Sequence, residues 1–90
     1  MRVIEGAYNM QEIIQVLRRL ICENFADDTI DIAEDTVLCE IAEWDSIELI
    51  NIISMIEEKY GFRFNVSELT DMSNVRTVGE MADIIVKKLV

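Results

Sequence analysis

The apolar residues of this chain recur at helical spacing in three separate stretches, which restricts it to folds in which helices cover one another. In residues 9–25, NMQEIIQVLRRLICENF, the set Met10, Ile13, Ile14, Leu17, Leu20 and Ile21 falls at i, i+3, i+4 and i+7 intervals, with Gln11, Gln15, Arg18 and Arg19 on the polar side. In residues 45–60, DSIELINIISMIEEKY, Leu49, Ile52, Ile53, Ile56 and Tyr60 share one side of a wheel turned by about 100° per residue. Val78, Met81, Ala82, Ile85, Val86 and Leu89 form the third stripe. Isolated helices of these lengths are marginal in water, so each stripe needs the others. The expected architecture is an all-α four-helix bundle with three long helices and one short one, and a core built from Ile13, Leu17, Leu20, Ile52, Ile53, Ile56, Ile85 and Leu89.

Start and stop signals give the helix limits. Asn9 with Glu12 three residues on reads as a capping-box-like start, and Thr77-Val-Gly-Glu80 as a capping box of the Thr-x-x-Glu type. Asp45 is a strong N-cap, reinforced by Glu48. Gly61 can take the left-handed conformation that closes the second helix. FRFNV, 62–66, reads as a connector, and SELTDM, 67–72, as the short helix with Ser67 as its cap. Lys87 and Lys88 suit the negative end of the last helix. Residues 26–44 break the pattern: seven acidic residues, no basic one, and hydrophobics Ile30, Ile32, Val37, Leu38 and Ile41 without helical spacing. They predict a long loop pinned onto the core, with one helical turn, and loops of that length in small domains are often functional.

Ninety residues fit one domain, taken as 9–90 after an N-terminal extension, 1–8. No run approaches the roughly 20 apolar residues of a membrane span, and MRVIEGAY lacks the pattern of a signal peptide, so a cytoplasmic monomer is expected. Acidic residues outnumber basic ones 18 to 8. Such a surface repels nucleic acid and anionic membrane and attracts a basic patch on a partner protein. Histidine is absent, which removes the commonest general base and zinc ligand, so no catalytic residues and no metal site are expected. The acidic loop lacks EF-hand spacing and reads as solvated. Cys22 and Cys39 make no disulfide framework and read as small buried hydrophobes.

Ser46 sits in EWDSIELI, residues 43–50, where the acidic loop meets the second helix. The first turn of a helix has unpaired N–H groups and a positive dipole end, and suits a covalently attached phosphate. Asp-Ser also begins many helices that carry nothing, and local spacing alone favours that plainer reading. On the outer side of this helix Ile47, Asn51, Ser54 and Glu58 point away from the core, with Ile50 and Met55 at the flanks, so apolar Ile47, Ile50 and Met55 suggest a docking surface.

Asp45-Ser46-Ile47, the following ELINIISMIEEKYGF and the later RTVGEMADII resemble the acyl carrier protein family, including peptidyl carrier domains, over about residues 8–89. The resemblance implies an acyl-carrier-like bundle without catalysis of its own. The matching serine, Ser46, would carry 4'-phosphopantetheine through a phosphodiester, placed there by a separate magnesium-dependent phosphopantetheinyl transferase that also reads Asp45. The terminal thiol would hold an acyl group as a thioester, for an acyl- or aminoacyl-loading ligase and downstream synthases or transferases that dock on Ile47, Glu48, Ile50, Asn51 and Glu58. Ile47 stands for the usual leucine, Trp44 precedes the aspartate, and Asn51 and Ser54 depart from the fatty-acid carriers. These departures imply a specialised pathway; the alternatives are a peptidyl or aminoacyl carrier, or a non-catalytic helical interaction module.

Overall fold

The computed structural model describes residues 9–89; the expected extension, 1–8, and Val90 lie outside them. Four α-helices follow one another, α1 Met10–Phe25, α2 Ser46–Tyr60, α3 Val66–Asn74 and α4 Val78–Leu89, with a single 3-10 turn, Leu38–Glu40, in the loop between α1 and α2. Among the described residues there is no strand, only one isolated antiparallel bridge, Val37 to Thr77. No described helix is long and apolar enough to cross a membrane.

Each helix begins where its cap residue satisfies the free N–H groups of the first turn. Asn9 Oδ1 accepts from the Glu12 N–H at 2.8 Å, and the Glu12 carboxylate takes the Asn9 side-chain amide at 2.7 Å rather than a backbone N–H. Thr77 Oγ1 accepts from the Glu80 N–H at 3.1 Å, and Glu80 Oε1 accepts from the backbone N–H groups of Arg76 and Thr77 at 2.6 and 3.3 Å. The Arg76 bond, followed by the Thr77 bond, holds the Glu80 carboxyl below its usual range. Gly61 closes α2 at φ 73°, its N–H on the Glu57 carbonyl at 2.8 Å.

The third helix differs from the sequence expectation. It is longer than 67–72 and its cap is Asn65, not Ser67: Asn65 Oδ1 takes the Glu68 N–H, and Glu68 Oε1 takes the Asn65 N–H, both at 2.8 Å. Ser67 lies inside its first turn. Asn65 and Glu68 carry the capping signal, but Asn65 stood in the supposed connector. Lys88 of α4 reaches the same Glu68 oxygen at 2.9 Å and lies 5.8 Å from the Phe62 ring centre, tying α3 to the end of the bundle.

α1 lies chiefly against α4 and next against α2, and α3 packs on α4. Ile13, Leu17, Leu20, Ile52, Ile53, Ile56 and Ile85 are buried as expected, while Leu89, Leu49 and Tyr60 are half-buried at its margin. Phe64, in the connector, and Met72, on α3, complete the core, and no described polar residue is buried. Neither cysteine is buried: Cys22 is half-buried with its thiol 3.7 Å from the Ile30 carbonyl, and Cys39 is exposed on the 3-10 turn. Cys39 follows Leu38, which takes the inward position of that turn.

The long loop is pinned as expected, with Ile32, Leu38 and Ile41 buried. Its backbone also caps α4. The Val78 N–H donates to the Thr36 carbonyl at 3.0 Å and the Gly79 N–H to the Glu34 carbonyl at 2.8 Å, while Leu38 N–H returns to the Arg76 carbonyl at 2.8 Å. Gly79 permits the approach, because a Cβ there would lie 2.7 Å from Glu34 Cγ and 2.9 Å from the Glu34 backbone oxygen. Alanine in place of a helical glycine normally gains up to about 1 kcal/mol, but crowding of this kind costs about 1–3 kcal/mol. Gly79→Ala is therefore expected to destabilise the fold in urea titration. A stabilised variant would show that the loop moves aside freely.

Candidate functional site

The acidic loop reaches α2 through a turn at residues 41–43, where Glu43 takes a left-handed φ of 68° and the Trp44 N–H donates to the Ile41 carbonyl at 3.0 Å. Asp45 is extended, at φ −150° and ψ −172°, which aims its carboxylate along the new helix. Asp45 Oδ1 accepts from the Ile47 N–H at 3.0 Å and the Glu48 N–H at 3.1 Å. The Asp45 carbonyl takes the Leu49 N–H at 3.1 Å. Asp45 thus caps α2 without help from the Ser46 hydroxyl.

Ser46 is the first residue of α2, and it is exposed. Its hydroxyl and backbone N–H make no hydrogen bond to any described residue. A primary alcohol so placed is accessible to a group-transfer enzyme, and the positive helix end favours a phosphate attached to it. The residues therefore fit a phosphodiester-linked group. Removing the cap has a separate cost. Asp45→Ala leaves two N–H groups without their partner and should lower stability by about 0.5–2 kcal/mol. Thermal unfolding of that variant beside Asp45→Asn checks it, since asparagine caps nearly as well.

The outer face of α2 is partly as the sequence implied. Ile47 and Ile50 are 63% and 60% exposed, and Asn51, Ser54 and Glu58 are exposed beside them. Met55 is not part of that face: it is half-buried and packed against the core. Glu57 is a structural group, with its side chain 14% exposed, accepting from the Phe64 N–H at 2.9 Å and pairing with Arg63 at 3.6 Å. Glu48 is half-buried and accepts a hydrogen bond from the Asn24 side-chain amide at the end of α1.

Asn24 and its neighbour Phe25 were not singled out by the sequence. Phe25 stacks obliquely on Trp44, ring centres 6.3 Å apart at 39°. Both contacts pair residues far apart in the chain, and the only local signal was the polar Asn24 near the end of an amphipathic helix. The family model for the phosphopantetheine attachment site matches residues 15–85. No curated protein matches the chain. With an exposed serine at a capped helix start in a bundle of four helices, and that match across most of its length, the chain belongs to the phosphopantetheine-binding acyl and peptidyl carrier family, whose cofactor is covalently attached 4'-phosphopantetheine.

Proposed function

We propose that Ser46 carries the 4'-phosphopantetheine arm and that the chain presents acyl groups, held as thioesters on that arm, to partner enzymes. The observation that carries this reading is the Ser46 hydroxyl itself: exposed, free of hydrogen bonds to described residues, and seated on the first turn of a helix that Asp45 has already capped. The arm supplies the thiol; the chain's own residues hold the attachment point and the surface around it.

Partners meet that surface on the outer side of α2. Ile47 and Ile50 supply apolar contact, Asn51 a polar one, and Glu58 a charge for Arg or Lys on the partner. These partners are the phosphopantetheinyl transferase, the ligase that loads the acyl or aminoacyl group, and the synthases or transferases that receive it. Asn51 and Ser54 make this face less acidic and less apolar than that of the fatty-acid carriers, which supports a specialised pathway. The test is peptide mapping by mass spectrometry after incubation with a phosphopantetheinyl transferase and coenzyme A. One phosphopantetheine on the peptide containing Ser46 supports the proposal. An unmodified chain, with a second carrier loaded in the same reaction, would leave a helical interaction module as the better account.

A further inference from the structure

We propose that Asn24 and Phe25, at the end of α1, are positioning residues for the loading of Ser46, an inference that rests on Ser46 being the attachment point. These two consecutive residues touch the chain on both sides of the serine. Phe25 meets Trp44, two residues before it, and the Asn24 amide donates to Glu48, two residues after it. All four side chains are half-buried, while Asp45, Ser46 and Ile47 between them are exposed.

The end of α1 is itself firmly set. Ala26 takes a left-handed φ of 52°, its N–H donates to the Glu23 carbonyl at 3.1 Å, and the Asp27 N–H returns to the Cys22 carbonyl at 3.0 Å. Such a terminus leaves residues 24 and 25 little freedom to drift. The clip therefore joins a fixed helix end to the two flanks of the exposed serine turn.

A transferase must bind the serine turn in one geometry. If the clip is broken, the free carrier spreads over several arrangements of residues 44–48 and only a fraction is competent. The apparent affinity then falls by that fraction, while the bound complex reacts as before. The clip thus acts on KM and leaves kcat alone; global unfolding would deplete the competent fraction in the same way, so the comparison is made where every variant is folded.

Asn24→Asp tests this, because it places a carboxylate against Glu48 and removes the donor. A hydrogen bond to a charged group contributes enough to shift an equilibrium by about tenfold or more. The full-length variant, kept well below its melting temperature, is loaded with a phosphopantetheinyl transferase and coenzyme A. Its KM as carrier substrate should rise about tenfold with kcat within about twofold. Emission of Trp44, the chain's single tryptophan, should shift as the Phe25 contact loosens. Adding Glu48→Gln to the same chain exchanges donor and acceptor. The introduced glutamine amide then donates to the introduced aspartate carboxylate, and the double variant should recover most of the KM and the emission. Unchanged KM and emission in Asn24→Asp would overturn the proposal, as would a loss that the double variant does not recover. A wild-type chain that takes up no phosphopantetheine would instead overturn the assignment of Ser46, before any variant is compared.

Discussion

Ser46→Ala is expected to take up no phosphopantetheine under conditions that load the unaltered chain completely, and to unfold within about 0.5 kcal/mol of it. Both halves follow from one geometry. The oxygen that would join the phosphate is deleted outright, so loading is abolished rather than slowed. The same oxygen has no described partner to lose, since Asp45 holds the N–H groups of Ile47 and Glu48 and the serine is exposed to solvent. Ser67 provides the control. It too is an exposed serine in the first turn of a helix, but Val66 rather than an aspartate precedes it. Ser67→Ala should load like the unaltered chain. Intact mass and thermal unfolding of the two variants answer together. Loading of Ser46→Ala at another residue would remove the serine from its role, and a large loss of stability would show that its hydroxyl is structural.

Truncating Ile56 should instead leave the site chemistry in place and strike the bundle. Ile56 is fully buried on the inner face of α2, among the largest buried side chains of the core. Ile→Ala at such a position removes apolar contact and leaves a cavity that close-packed neighbours only partly fill, at a cost of about 2–5 kcal/mol. A domain of this size has in all about 5–15 kcal/mol of stability, so the variant loses a large share. Each kcal/mol corresponds to about 4–8 °C in melting temperature. Leu89→Ala, at a half-buried position, should cost distinctly less. Urea titration of the two variants reads the difference, and a cost below about 1 kcal/mol for Ile56→Ala would contradict this account of the core.

The parts of this molecule that could be read in the sequence are those whose physics is local. Asp45 capping the residues just after it, Thr77 with Glu80, and the apolar stripes of α1 and α4 all involve residues within one or two turns, and spacing expresses them directly. The start of α3 was local too, but its Asn65–Glu68 box begins inside FRFNV, which reads as a connector, and Ser67 offered a cap of its own two residues on. Between α1 and α2 no periodicity tells which hydrophobics turn inward; Ile32, Leu38 and Ile41 are buried and Ile30 only half so. Met55 could not be assigned from a wheel, since whether a flank residue is covered depends on the neighbouring helix. Around the serine the cap and the exposed isoleucines were legible, whereas the Asn24–Glu48 and Phe25–Trp44 contacts are tertiary and leave no mark in spacing.

The hydrogen bonds that join the long loop to the start of α4 set an order of assembly. Thr36, Glu34 and Leu38 find these backbone partners only in Val78, Gly79 and Arg76, near the far end of the chain. During synthesis Ser46 is added to the chain before residues 76–79. A nascent chain can present the serine and even its Asp45 cap, both of which need only neighbouring residues, while the acidic segment leading to them has nowhere to dock. Closing so long a connection is entropically late, because the ends must meet before any contact rewards them. The serine turn with its full lead-in therefore forms only once residues 76–79 have taken their place at the start of α4.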